Sequence, residues 1–223
     1  ISHRQVIIPQ LGAPGVSAHE LKRRTHFNVI YGPVHARDIP EFLDVGMKAT
    51  PEMRVVNFGI GDRLVLAPME IIMWGRYGLG IALALFFLTG FSRAGYALPG
   101  MAGGRETLLF VIVFIAGSTL VPLLLPWLPG RALSVKGMML GFFCAVALAL
   151  AGFIPTAGTA GILGTAAWVL MMPAVTSFLA MNFTGATTYT SLSGVKKEMR
   201  FAIPLQIVAG AIGLALWITA RFF

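Results

Sequence analysis

Cysteine is almost absent: the 223 residues hold one, Cys144. A single thiol excludes an internal disulfide, a zinc knuckle and a CxxC redox site. Cys144 lies within an apolar run, where a small packing residue is its expected role. Acids are also scarce, nine in all, and six of them (Glu20, Asp38, Glu41, Asp44, Glu52 and Asp62) precede Leu64. The remainder offers no string of acids for a proton relay, which weakens a transporter assignment. His3, His19, His26 and His35 include no i, i+4 pair, so no metal site is expected. Neither a GxGxxG fingerprint nor a GK[ST] ending occurs, which disfavours a plain nucleotide site. The net charge of +8 comes with no basic–aromatic platform or reader motif, and no nucleic-acid partner is expected.

Long apolar runs are what the chain does have. It is 57% hydrophobic and 12% charged, with a mean hydropathy of +0.80. A helix needs about 20 apolar residues to cross a bilayer, and five such stretches follow Pro68. They predict spans near 68–91, 107–128, 134–154, 160–182 and 201–221. The fold class is therefore a small α/β domain over residues 1–67, then an all-α membrane domain over 68–223. Arg54, Arg63, Arg76, Arg131, Lys136, Lys196, Lys197 and Arg200 fall at one set of span ends, against Arg93, Arg105 and Arg221 at the other. This bias predicts a cytosolic amino-terminal domain and an external carboxyl terminus in the inner membrane. Glu70 and Arg76 lie in the cytosolic half of the first span, within reach of headgroups. Gly137 and Gly141 form a GxxxG pair suited to close helix approach, and Pro173 should kink the fourth span. The polar tract from Asn182 to Ser191 is either the lining of a pocket beneath the soluble domain or a solvated connection.

In the amino-terminal segment, Gln5 to Gln10 reads as a buried strand leading into a Gly/Pro loop. Ser17, with Glu20 three residues on, has capping-box spacing for a helix whose carboxyl end carries Lys22, Arg23 and Arg24. Phe27 to Tyr31 is a second strand. Asp38 begins a second helix that stops at Gly46, and Arg54 to Phe58 and Arg63 to Ala67 read as further strands. Strand, loop and helix in alternation is the pattern of a parallel α/β layer, whose ligands sit beyond the carboxyl ends of the strands. Loops 11–16 and 32–37 fall at those ends. They are candidates for ligand contact, or simply tight turns that need glycine.

The words VIIPQLGAPGVSAHELKRRTHFNVIYGPVHARDIPEFL, ATPEMR, DRLVLAPME and MNFTGATTYTSLSGVKKEMR resemble the HgcA family of mercury-methylating corrinoid proteins, over essentially the whole chain. The soluble part also resembles the corrinoid domain of the corrinoid iron–sulfur protein of the acetyl-CoA pathway. The resemblance implies a partial Rossmann-like domain binding a cobalamin-type corrinoid, and transfer of a methyl group from methylcorrinoid to mercuric ion. It implies a cap-helix cysteine beneath cobalt, and a small ferredoxin-like partner of the HgcB type carrying iron–sulfur clusters. The corrinoid-facing floor it assigns is Gln10, Leu11, Gly12, Ala13, Pro14, Gly15, Val16 and Ser17, with Gly32, Pro33, Val34, His35, Ala36 and Arg37.

The chain departs from the family in one respect. The cysteine word Asn-Val-Trp-Cys-Ala is absent, and Trp74, Trp127, Trp168 and Trp217 all lie in predicted spans. No catalytic residue is carried over. The chain starts at Ile1, beside a strand and without methionine, so the word is expected upstream and these residues alone are expected to be inactive. Two other functions fit the same residues: a corrinoid methyl carrier of one-carbon metabolism, and a non-catalytic membrane protein acting as a small permease or docking platform.

Overall fold

The computed structural model describes residues 3–56, 58–183 and 192–223. It divides into two compact units, Ile1–Asn57 and Phe58–Phe223. The first holds two parallel strands, β1 (Gln5–Ile8) and β2 (Asn28–Tyr31), paired from Gln5 opposite Asn28 to Ile8 opposite Tyr31. Helix α1 (Ala18–Thr25) connects them as a single crossover. Its start follows the sequence: the Ser17 hydroxyl accepts a hydrogen bond from the Glu20 amide at 3.4 Å. Its end is closed by His26 in the left-handed region, φ 61°, a conformation histidine enters more readily than most side chains. Helix α2 (Ile39–Asp44) follows, with Pro40 in its first turn and Gly46 beyond its end at φ 75°. Asp38 precedes it without giving a side-chain cap.

Among the described residues the two further strands do not form, and Asn57 lies outside those residues. Residues Glu52–Arg54 make a single 3₁₀ turn, and Val55 is extended but outside any ladder. Arg63 to Ala67 lies inside helix α3 (Ile60–Leu88). A short apolar run does not distinguish strand from helix by pattern. Here the Asp62 carboxylate decides, accepting from the Gly59 amide at 2.9 Å at the helix start. The first span thus begins at Ile60, with Pro68 within it.

The second unit is a helical bundle. Helix α3 leads through a short hairpin, β3 (Phe91–Ser92) and β4 (Gly95–Tyr96), into α4 (Met101–Ile115). A π-helical turn at Ala116–Leu120 joins α4 to α5 (Val121–Leu124). Pro122 has no N–H to offer the Ser118 carbonyl, and the turn just before it is the widened one. Helices α6 (Leu133–Leu150), α7 (Gly158–Asn182) and α8 (Leu192–Thr219) complete the unit. Among the described residues, five helices are long and apolar enough to cross a membrane. Only 17% of the apolar windows of the first and last is buried. An outward apolar surface of that extent is not tolerated in water and suits lipid.

Glycines set how closely α7 is approached. A Cβ on Gly137 would come within 2.8 Å of Ser177 Cα, and one on Gly141 within 2.6 Å of Pro173 Cα. The GxxxG pair is therefore the face of α6 against α7. Gly213 of α8 and Gly117 of the π turn meet α7 in the same way, next to Met171 and Leu179. Pro173 lies within an unbroken α7. The core around this helix includes Leu109, Phe110, Val113, Trp168, Met172 and Trp217.

Candidate functional site

In the first unit, β1 and β2 run parallel, so the segments after them leave from the same edge of the sheet. Gln10–Gly15 winds into a 3₁₀ helix, with the Gly12 amide donating to the Pro9 carbonyl at 2.9 Å. The Gly32 amide extends the ladder to the Ile8 carbonyl at 2.9 Å. Tyr31 Oη, donating to the Val16 carbonyl at 3.5 Å, ties the second strand to the first loop. Val34 is held by its amide on the Met53 carbonyl, 2.9 Å. Ala36 and Arg37 enter a 3₁₀ turn ending at Asp38, and Arg37 pairs with Asp38 at 3.5 Å. The segment after β1 is thus tied to β2 through Val16, while Gly32 and Pro33 are buried and the exposed Arg37 is turned to its own neighbour.

The glycines of these loops separate into two kinds, and none has a positive φ. Gly12 and Gly32 are packing positions, since a Cβ on either would come 3.0 Å from an isoleucine methyl of β1. Gly15 has neither reason: nothing lies within 4 Å of where its Cβ would stand. It is exposed, at the end of the turn and close to an exposed Leu11. His35 Nε2 is buried without a hydrogen-bond partner, which is uncommon in a finished protein interior. Open backbone at Gly15, an exposed Leu11 and an unsatisfied ring nitrogen on His35 lie on the segments that follow the two strands.

The second unit contains polar centres that the hydrophobic pattern does not reveal. Glu106, 4% exposed, accepts Trp168 Nε1 at 2.8 Å and Trp217 Nε1 at 2.9 Å on one oxygen. Its other oxygen pairs with Arg105 and Arg221, each at 3.1 Å. One carboxylate so joins α4, α7 and α8. The expectation placed Arg105 and Arg221 as cations at the outside-facing span ends and left Glu106 unassigned, just outside a span drawn from 107. The only local sign was an Arg-Glu pair opening an apolar run; the indoles that complete the centre lie far along the chain.

Glu70 is a second buried carboxylate, 3% exposed, with Oε2 unpartnered. Trp74, one turn on, packs edge-on against Phe178 of α7 at 4.8 Å, and Trp74 Nε1 and Asn182 Nδ2 are also unpartnered. Glu70 is therefore enclosed by protein, contrary to the expectation that it reaches the headgroups. Residues 184–191 of the polar tract lie outside the described residues.

Two cations close the end of α5. Arg63 Nη1 donates to the Leu123 carbonyl at 3.0 Å and Lys136 Nζ to the Leu125 carbonyl at 2.5 Å. Those carbonyls have no helical donor, and the negative end of the helix dipole favours a cation there. Among the described residues no three His, Cys, Asp or Glu side chains gather as a metal site would require. Comparison with models of protein families, with curated proteins and with solved structures finds no match.

Proposed function

We propose that this chain belongs to a membrane-anchored corrinoid protein of the mercury-methylating family, with its amino-terminal unit cytosolic and its carboxyl terminus external. The observation that carries this is the rim at the carboxyl ends of β1 and β2. There Gly15 leaves the backbone open and His35 Nε2 waits for a partner. The long words shared with that family support the same assignment. Of Gln10 to Ser17 and Gly32 to Arg37, the surface residues would hold the corrinoid, Leu11 and the Gly15 backbone against its flat face and His35 against an amide arm, with the buried Gly32 and Pro33 supporting them from beneath. When bound, the corrinoid supplies a methyl group on cobalt, destined for mercuric ion. The residues of this chain bind and orient. None of them is assigned as the axial thiolate, so mercuric ion and methylcobalamin mixed with this chain should yield methylmercury no faster than without it. A ferredoxin-like iron–sulfur partner would keep the cobalt reduced.

Titration with methylcobalamin tests the assignment. Weak but saturable binding is expected, reduced at least about tenfold by Gly15→Phe and by His35→Ala. A Cβ at Gly15 meets no atom within 4 Å and the position is exposed, so circular dichroism of that variant should be unchanged. Absence of binding in the parent chain, or binding that ignores both substitutions, would sink the assignment. Comparing mercuric ion with a tetrahydrofolate-type acceptor, once an axial thiolate is supplied, would separate mercury methylation from one-carbon transfer.

A further inference from the structure

A groove of about 1340 Å³ runs between α6, α7 and α8. Its walls are apolar, with Met138, Phe142, Phe201 and Leu205 all exposed. One end differs. Arg131, two residues before α6, and Lys197, in the second turn of α8, both line it. A short bond from the Ser134 amide to the Glu198 carboxylate, 2.5 Å, holds those two helix starts together. Glu198 is thereby turned to the backbone and not to either cation. Among the described residues neither Arg131 nor Lys197 has a hydrogen bond or ion pair. Further along, Gln206 Nε2 is satisfied on Ser177 Oγ at 2.8 Å, so the apolar stretch carries no unmet donor from that amide nitrogen.

The dimensions match a membrane lipid. From Gly194 to Ala209 the lining of α8 covers about 22 Å at the helical rise. Half of a bilayer, headgroup included, is also about 20–22 Å thick. We infer that the groove holds one anionic phospholipid of the surrounding leaflet, its phosphate between Arg131 and Lys197 and an acyl chain along α8. The charge sign selects the lipid: two unpaired cations above an apolar channel favour an anionic headgroup over a zwitterionic one. This inference is independent of the corrinoid assignment.

The full chain, reconstituted in nanodiscs of equal parts phosphatidylglycerol and phosphatidylcholine with matched acyl chains, is released for native mass spectrometry. One phosphatidylglycerol should remain bound, enriched about tenfold or more over phosphatidylcholine. The R131Q/K197Q double variant should bring the two lipids to parity, with its thermal midpoint unchanged because both side chains are exposed. Ala209→Trp, which fills the channel, should reduce retention of either lipid. If that variant does not fold, the double variant alone decides. Equal retention of both lipids by the parent, or enrichment that survives R131Q/K197Q, overturns the inference. So does a dimer without lipid, which would make the groove a contact between copies.

Discussion

Glu106 and Glu70 are both carboxylates buried in apolar helices, yet they should respond oppositely to removal. Glu106 has four donors on its two oxygens. Glu106→Ala strands two guanidinium groups and two indoles, and a loss of about 3 kcal/mol is expected, read as a lowered thermal midpoint in detergent. Glu106→Gln keeps an acceptor for the indoles and should lose less. Glu70 has one oxygen without a partner. Glu70→Met removes an unsatisfied polar group of similar volume, so its thermal midpoint should be equal to or above that of the parent. A fall comparable to that of Glu106→Ala would show that Glu70 has a structural partner of equal weight. Neither assignment was open to inspection of the sequence. Glu106 gains its meaning from Trp168 and Trp217, 62 and 111 residues away, and no local pattern reports such pairings.

At the scale of elements, the five spans were legible because a bilayer demands a length of apolar helix that nothing else in the chain mimics. The GxxxG face of α6 was legible for a similar reason: small residues one turn apart have few other uses. Gly137→Leu and Gly141→Leu should each cost about 3 kcal/mol or more, because the atoms they meet include α7 backbone, which cannot rotate away. Gly210→Leu, with nothing within 4 Å, is the matched control and should be neutral in the same unfolding assay. The start of α3 was not legible. Arg63 read as the first residue of a short strand, whereas it lies in a helix and its guanidinium is met by the carbonyls of Phe58 and Leu123. The second of these is 60 positions away. Of the α/β reading, the crossover from β1 through α1 to β2 was visible, since Ser17, Glu20 and the basic last turn all speak locally. The strand count was not, because Val55 has the right torsions without a neighbour to pair with.

For the molecule as a whole, the distribution of basic residues acquires a sharper meaning. Arg105 and Arg221 are neutralised in part by Glu106, leaving Arg93, stacked on Phe223 at 5.4 Å, as the remaining cation of that end. Arg131, Lys196, Lys197 and Arg200 stay exposed at the other. The orientation proposed above then has a direct check in a Cys144→Ala background. A cysteine at Gly130 should resist an impermeant thiol reagent added to intact cells, and one at Ala94 should react. The reverse pattern would invert the topology.

The approach of Gly117, Gly137, Gly141 and Gly213 to a single helix bears on how the bundle tolerates inherited change. Volume added at any of these four points is transmitted straight to the rod they surround. Saturation mutagenesis should therefore leave an uneven record: permissive along the outer sides of α3 and α8, and nearly silent for larger side chains where neighbours touch α7. Adaptation of this bundle to a new membrane would have to be written on its rim.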